Sequence, residues 1–313
     1  QTSKSSMDGV STMSNSTSLQ NINGIASKSE IAAFGAIHLN ITSIVKAIDF
    51  WTKIGGLKLR TQSATSAELG TETQTLVVVH QTAKSAFKKG YSGIYHFAIH
   101  LPNQQEFAKT LYRLQQYDYP HSPTDHTMTQ SIYLEEADGI TVEFALETPE
   151  RYKRVITEGG LFMEDADGTI RSASAALDTE YVLKGLTDKD LTKSIAVESK
   201  IGHVHFSAND VTKSNDFFRT IGFTQFNYLP QFMYADLGMG GVYQHRIALN
   251  SWHGKNRPLA PAENAGLEHY EIIFNSKEQL QKAIAVLAKV DEYGDEYWTL
   301  DPTGNKVLLT HKK

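Results

Sequence analysis

One pattern of strand, polar turn, amphipathic helix and glycine occurs twice in this sequence, and the two copies align without a gap. They are GAIHLNITSIVKAIDFWTKIGGLKL (35–59) and GHVHFSANDVTKSNDFFRTIGFTQF (202–226). In the second copy, the alternation over 203–206 predicts a strand, and the apolar spacing over 211–218 predicts a helix that ends near Gly222. A repeat of this kind constrains the fold strongly, because each copy is expected to be one supersecondary unit.

Two looser copies follow the same order of elements. They are IYHFAIHLPNQQEFAKTLYRLQQY (94–117) and LEHYEIIFNSKEQLQKAIAVLAKV (267–290). Each is followed by short strands that are separated by turn signals such as ADG and DPTG. The sequence therefore predicts an α+β chain of four βαβββ modules, and these span approximately 33–90, 91–150, 200–255 and 265–313.

The length of 313 residues fits two domains of about 150 residues each. We predict a disordered tail over 1–31, because this segment is rich in Ser, Thr and Asn and has no hydrophobic period. The first domain then covers 32–150 and the second 200–313. The segment 151–199 is predicted to be a connector, with 181–186 and 188–193 as its candidate helices.

Composition limits the chemistry that the chain can carry. It has no cysteine and 12 histidines, which excludes thiol nucleophiles, disulfides and thiolate metal sites and leaves His, Asp and Glu as the strong metal ligands. The net charge of −5 argues against nucleic acid or an anionic membrane as partner. No stretch of 18 apolar residues and no signal-peptide core is found, so we expect a cytoplasmic protein.

The modules and their histidine-rich segments resemble a known superfamily. The segments YHFAIHLPN, TDHTMTQSIYL, IGHVHFSAND and NSWHG are similar to those of the vicinal oxygen chelate proteins, which include glyoxalase I, bleomycin-resistance proteins and type I extradiol dioxygenases. Within it, the chain looks most like two-domain bacterial catechol-2,3-dioxygenase-like proteins. The resemblance covers about residues 34–312. It implies two open mixed β-barrels built from the four modules.

The resemblance also implies where metal ligands should lie, namely on the first and last strands of modules. The first-strand positions are Ala36, His96, His203 and His269, and the last-strand positions in modules 2 and 4 are Glu143 and Leu308. Only His96, Glu143 and His203 supply the two-His, one-carboxylate set of non-heme iron oxygenases. This set requires module 2 to pair with module 3, and module 1 with module 4. His205 has the same strand parity as His203 and stays an alternative ligand.

The resemblance further implies three catalytic partners. His245, in YQHRIALN, is assigned as the acid/base, because histidine titrates near neutral pH. His126 and Tyr133 are assigned as hydrogen-bond donors to substrate or intermediate oxygens, where negative charge develops.

These assignments imply an Fe(II)-dependent extradiol dioxygenase that cleaves a catechol or hydroquinone-type ring with O₂, with Mn(II) as an alternative metal. Two other functions stay open. One is a glyoxalase-like lyase or isomerase, although such sites have a second carboxylate where this chain has His245. The other is a non-catalytic protein that binds an aromatic compound or antibiotic. The expected partners are a small aromatic substrate and O₂, and a homodimer is compatible with the symmetry.

Overall fold

The computed structural model describes residues 29–313. Most of the tail predicted for 1–31 therefore lies outside the described residues. At its end, the Ile31 amide donates a hydrogen bond to the Met239 carbonyl oxygen at 2.8 Å. The Glu30 carboxylate lies 2.9 Å from the Arg246 guanidinium. Glu30 and Ile31 are thus part of the folded protein.

Each of the four predicted modules is present and consists of a strand, a helix and three further strands. Modules 1 and 2 contain β2 (Ile37–Ile41), α1 (Ile44–Asp49), β3 (Lys58–Gln62), β4 (Ser66–Gly70) and β5 (Thr75–Gln81), then β6 (Gly93–His100), α2 (Gln104–Gln116), β7 (Ser122–Asp125), β8 (Thr129–Glu135) and β9 (Thr141–Glu147). Modules 3 and 4 contain β14 (Lys200–Ser207), α4 (Val211–Thr220), β15 (Thr224–Leu229), β16 (Tyr234–Gly238) and β17 (Ile247–Asn250), then β18 (Gly266–Phe274), α5 (Lys277–Ala285), β19 (Asp291–Tyr293), β20 (Glu296–Leu300) and β21 (Lys306–His311). The α+β fold predicted from the repeats is confirmed.

Further elements accompany the strand, helix and three strands of each module. A short strand, β1 (Ala32–Phe34), precedes module 1, and a π-helical turn (Phe50–Ile54) continues α1. The connector contains β10 (Tyr152–Ile156), β11 (Phe162–Asp165), β12 (Ile170–Ser172), β13 (Ala175–Ala176) and α3 (Thr179–Lys184). The first candidate helix is thus present two residues earlier than predicted, whereas residues 188–193 are not helical.

The modules associate in an inner and an outer pair. The inner sheet, from modules 2 and 3 with β13 of the connector at one edge, has the strand order β13-β7-β8-β9-β6-β14-β17-β16-β15. The outer sheet, from modules 1 and 4, has the order β19-β20-β21-β18-β2-β5-β4-β3, with β1 paired to β18. Strands β10, β11 and β12 form a separate small sheet. Each large sheet therefore takes strands from both segments 32–150 and 200–313.

The first strands of the two modules pair antiparallel at the centre of each sheet, as β6 with β14 and as β2 with β18. Each of these strands is also parallel to the last strand of its own module. First-strand and last-strand residues of two modules consequently lie side by side, which is the arrangement that the ligand set requires.

Strand parity separates the histidines of β14 from the apolar core. His203 and His205 alternate with Val204 and Phe206. Phe206 packs against Tyr270 of β18, with ring centroids 4.9 Å apart. Because successive side chains on a strand point to opposite faces, the apolar face of β14 meets the outer sheet, and its histidines lie on the other face.

Helix starts follow the sequence signals. Asp210 is the N-cap of α4 and accepts a hydrogen bond from the Lys213 amide at 3.0 Å. Trp51, fully buried after α1, stacks on Phe97 of β6 with ring centroids 5.9 Å apart. The buried apolar side chains of all four modules thus form one connected core. Within residues 29–313, no helix has both the length and the apolar character to cross a membrane.

Candidate metal centre

Three side chains from adjacent strands of the inner sheet converge on one point. His96 lies on β6, Glu143 on β9 and His203 on β14. The carboxylate oxygen Oε1 of Glu143 is 3.0 Å from His96 Nε2 and 3.1 Å from His203 Nε2. One ligand atom of each residue lies within 4.8 Å of the others. The structure therefore brings together the three residues that the sequence predicts as ligands.

The strand register explains the convergence. Across the sheet, Tyr133, Glu143, Ala98 and His203 form one row, since each is the register partner of the next. Ala98, between the carboxylate and the imidazole, has only a methyl group. The small side chain leaves the space into which Glu143 and His203 extend toward each other.

The donor set fits a divalent cation. All three side chains are buried, and among the described residues His96 Nε2 has no hydrogen-bond partner despite its short distance to Glu143. A buried nitrogen without a partner is costly unless it binds something. One oxygen of the Glu143 carboxylate, Oε1, faces both imidazole rings. Ser131 Oγ donates to the other carboxylate oxygen at 2.8 Å.

A line of hydrogen-bonded polar side chains begins at His203 Nδ1, the ring nitrogen that does not face Glu143. His203 Nδ1 is 2.6 Å from His100 Nε2, and His100 Nδ1 is 2.8 Å from Glu147 Oε2. Arg246 donates to the same Glu147 oxygen at 2.7 Å and to both oxygens of Glu30 at 2.9 Å. The line thus runs from the metal centre to Glu30 near the start of the described chain.

This line also determines which nitrogen of each ring carries a proton. Burial lowers the pKa of both His203 and His100, so each ring is neutral and has one N–H. The pKa of Glu147 is also lowered, despite burial, by hydrogen bonding to His100. An ionised Glu147 accepts from His100 Nδ1–H, which leaves His100 Nε2 to accept from His203 Nδ1–H. The lone pair of His203 is then on Nε2, the atom that faces Glu143.

Gly202 makes room for this line. A Cβ atom at residue 202 would lie 1.9 Å from the His100 ring carbon Cγ. Only glycine lets the His100 ring pack against β14 beside His203.

The predicted acid/base, His245, lies immediately before β17 and next to the centre. Its ring centroid is 4.8 Å from that of His203. His245 Nδ1 is 2.7 Å from Asp236 Oδ2, which also accepts a hydrogen bond from Tyr234 at 2.9 Å. Asp236 Oδ1 accepts two further bonds from Asn227. With Nδ1–H donating to this fixed carboxylate, the lone pair of His245 is on Nε2.

The predicted donors His126 and Tyr133 lie on the other side and bind each other. His126 Nδ1 donates to the Ala173 carbonyl oxygen at 2.8 Å, so Nε2 is an acceptor. The Tyr133 hydroxyl donates to that Nε2 at 2.7 Å. Burial and the nearby Glu143 raise the pKa of Tyr133 well above its usual value. In this structure Tyr133 is therefore a protonated donor, and His126 is its acceptor.

All six predicted site residues line one cavity of about 590 Å³. The segment after β17 contributes Trp252 and His253. The connector forms another wall, with Val155, Leu161 and Met163. The connector therefore shapes the cavity as well as joining the halves.

Several site residues were not found from the sequence. No role was predicted for His100, which supports His203. His205 was predicted only as an alternative ligand, and it lines the cavity and bonds to Asn250 at 2.8 Å. No site role was predicted for Asp236 or Tyr234. A carboxylate within a strand next to an aromatic residue was the only available signal, and such pairs are common.

Comparison with known proteins supports the fold independently. Residues 33–144 match the model of the Glyoxalase/Bleomycin resistance protein/Dioxygenase superfamily. The chain is 27% identical over 251 residues to a protein named catechol-2,3-dioxygenase from Bacillus subtilis (strain 168), covering 79% of this chain and 84% of that one.

Two solved structures have the same fold at low sequence identity. A candidate dioxygenase from Bacillus subtilis subsp. subtilis str. 168 has a TM-score of 0.56 at 12% identity, covering 91% of this chain and 86% of that chain. Glyoxalase I from Zea mays has a TM-score of 0.50 at 13% identity, covering 91% and 92%. The resemblance predicted from the sequence is confirmed.

Proposed function

We propose that the chain is a metal-dependent extradiol dioxygenase of the glyoxalase/bleomycin resistance/dioxygenase superfamily, whose model its residues 33–144 match. The observation that carries the proposal is the convergence of His96, Glu143 and His203 on one buried point, beside the His245–Asp236 pair. The relative named catechol-2,3-dioxygenase supports the same reaction class.

His96, Glu143 and His203 would hold the metal, for which we propose Fe(II), with Mn(II) as an alternative. Two imidazoles and one carboxylate on one side of an ion are the ligand set of non-heme oxygenases, in which the remaining positions are open. When bound, such an ion brings O₂ and the two substrate oxygens together and lets electrons pass between them.

His245 would move protons at the substrate oxygens. Its Nε2 has a lone pair as long as Nδ1–H donates to Asp236, so it can accept a proton from a catechol hydroxyl. The imidazolium formed is stabilised by the Asp236 carboxylate 2.7 Å away, and it can return the proton to a departing oxygen.

Tyr133, positioned by His126, would stabilise negative charge on the opposite side. The Tyr133 hydroxyl is kept protonated by burial and the nearby Glu143, so it can turn from His126 Nε2 to an anionic oxygen. His126, anchored through Nδ1 to the Ala173 carbonyl, keeps that hydroxyl in place before substrate binds. A donor that is already positioned next to the substrate oxygens stabilises developing charge with little reorganisation during the reaction.

The cavity walls favour an aromatic substrate. Apolar side chains of the connector, Val155 and Met163, lie on one wall, and the Tyr95 and Trp252 rings contribute to another, with centroids 5.7 Å apart. A catechol or hydroquinone-type ring can therefore pack on these walls while its oxygens reach the polar end.

The test is aerobic turnover by anaerobically purified protein. Metal content is measured first, and a panel of catechols and hydroquinones is then added with O₂. We expect O₂ uptake with a ring-fission product that absorbs in the near-visible. Glu143→Ala should abolish metal retention while the circular dichroism spectrum stays that of the wild type, because Glu143 makes its contacts within the centre.

Glu150→Ala is the matched control, since Glu150 lies in a short turn after β9 and is not among the cavity residues. It should retain metal and turnover. Metal-loaded wild type without O₂ uptake on the whole panel would contradict the proposal. Isomerisation of a thiol adduct would then indicate the glyoxalase-like alternative, and tight binding of an aromatic compound without turnover would indicate a binding protein.

A further inference from the structure

The outer sheet contains a second cluster of metal-ligating side chains. His38 on β2 and His269 on β18 are register partners, and their rings stack with centroids 3.8 Å apart. His80, on β5, has its Nε2 2.9 Å from His38 Nδ1. Glu268 contacts the His269 ring through its carboxylate. One ligand atom from each of His38, Glu268 and His269 lies within 4.8 Å of the other two.

The backbone is shaped to place Glu268 and His269 together. Adjacent residues of a regular strand point to opposite faces of the sheet, so a Glu–His pair would normally be separated. Here the pairing of β18 with β2 shifts register between Leu267 and His269. Such a bulge re-aims side chains and is frequent beside functional sites. The contact between the two side chains follows from this irregularity.

Neighbouring groups hold the cluster in place. The bond between His80 and His38 Nδ1 leaves Nε2 as the ligand atom of His38, in the way that a metal-bound histidine is usually oriented through its other nitrogen. Trp298 packs edge-on against the His269 ring with centroids 4.8 Å apart. Lys306 Nζ lies 3.5 Å from the other Glu268 oxygen.

We propose that His38, Glu268 and His269 bind a second divalent ion of the Zn²⁺ type. Two imidazoles and one carboxylate are a known protein ligand set for Zn²⁺, which accepts nitrogen and oxygen in tetrahedral geometry. His269 is at least nine-tenths buried, whereas the Glu268 side chain is 29% exposed. An ion could therefore enter from solvent and be held against β18.

This site is separate from the inner centre and does not depend on the proposed function. It lies in the outer sheet and shares no residue with the inner centre. In the gap-free repeat, His38 corresponds to His205, two residues beyond the predicted ligand position, which is Ala36 in module 1. Equivalent positions of the modules therefore predict no metal site in the outer pair, whereas the structure brings ligating side chains together from neighbouring positions.

Binding of this ion should also stabilise the outer sheet. Strands β2 and β18 come from opposite ends of the described chain and form the central antiparallel pair of that sheet. The site between His38 of β2 and His269 of β18 exists only in the folded state. An ion that binds there therefore stabilises the folded protein increasingly as the ion concentration rises.

The experiment measures Zn²⁺ bound per full-length chain by equilibrium dialysis and metal analysis, with thermal unfolding in parallel. The wild type should bind two ions, one at the outer cluster and one at the inner centre. Glu143→Ala should bind only the outer ion. A His38→Gln/His269→Gln variant should likewise bind one, and combining it with Glu143→Ala should leave none. The rise in melting temperature caused by Zn²⁺ in Glu143→Ala should be lost when the outer histidines are replaced.

His311→Gln is the matched control, because His311 lies on β21 of the same sheet outside the cluster and should leave both ions bound. If the double variant fails to fold, Glu268→Gln replaces it and should weaken the second ion at least tenfold. Binding of a single ion that Glu143→Ala alone removes would overturn the proposal. So would an outer ion that is unaffected by these substitutions.

Discussion

His100 and His203 are in direct hydrogen-bond contact, with Nε2 of the first 2.6 Å from Nδ1 of the second. They lie on β6 and β14, the central pair of the inner sheet. The contact leaves His203 Nε2 free for a metal and connects that ligand to the Glu147 carboxylate. A partly buried carboxylate thus determines, through an intervening ring, the proton position on a metal ligand.

Replacing Glu147 by Gln should weaken the metal centre. Without an ionised acceptor at His100 Nδ1, the proton positions of His100 and His203 are no longer fixed. Loss of such a supporting group typically lowers metal affinity about 10–100-fold. The measurement is competition with a chelator of known affinity. Glu135→Gln, which changes an exposed carboxylate on β8, should retain the wild-type affinity, and equal effects of both variants would contradict the prediction.

Replacing Asp236 by Asn should lower turnover and leave metal content unchanged. The amide removes the charge that stabilises a protonated His245 and presents a donor to Nδ1. The loss expected for an impaired acid/base is about 10²–10⁴-fold in kcat. Steady-state O₂ uptake measures it. Asp216→Asn, on the exposed side of α4, is the control, and a variant of Asp236 with normal kcat would exclude the assigned role of His245.

Tyr133→Phe and His126→Gln should have effects that are not additive. The hydroxyl of Tyr133 and Nε2 of His126 are 2.7 Å apart, and residues in one hydrogen bond generally couple. Tyr133→Phe alone should reduce kcat about 10²-fold, as for loss of one donor to developing charge. A double-mutant cycle on kcat is the test. Independent, multiplicative losses would mean that the two side chains do not act as a unit.

Glu136 should make the fold less stable as the pH rises. Burial raises the pKa of Glu136 from 4.5 to about 7. Because the folded-state pKa is above the unfolded value, the stabilisation is complete below pH 4.5 and is lost as the pH rises through about 7. Relative to Glu136→Gln, the wild type should lose about 2 kcal/mol of unfolding free energy between roughly pH 5 and 8.5.

Urea denaturation of the wild type and Glu136→Gln at several pH values tests this difference, in which the contributions of other titrating groups cancel. Glu135→Gln serves again as the control, because it changes the neighbouring, exposed carboxylate. A difference between wild type and Glu136→Gln that is constant with pH would show that Glu136 titrates normally in the folded protein.

The resemblance implies that metal ligands lie on the first and last strands of modules, and local pattern and repetition then locate those positions in this sequence. Strand alternation puts His203 on one face and Val204 on the other, and equivalent positions of the modules then indicate His96 and Glu143. This inference works because each module uses the same strand order, so a residue's place in the repeat determines its place in the sheet. The resemblance of the surrounding segments supplied the expected roles.

The partners of those ligands could not be predicted in the same way. His100 contacts His203 because β6 and β14, which are distant in sequence, pair with each other. Asp236 contacts His245 because β16 pairs with β17 and His245 lies in the loop before β17. Register between such strands depends on packing of the whole sheet, including its bulges. The same reason applies to Glu268 and His269, whose shared site depends on a register shift that no local pattern reveals.

The amino-acid sequence alone therefore determined the four modules, the α+β class and the residue types available to a metal, because these depend on period and composition. The tertiary structure decided which modules share a sheet, which nitrogen of each histidine is free and where the connector lies. Those properties depend on contacts between segments far apart in the chain. Such contacts form because they bury the common core, and they produce no periodic pattern in the sequence.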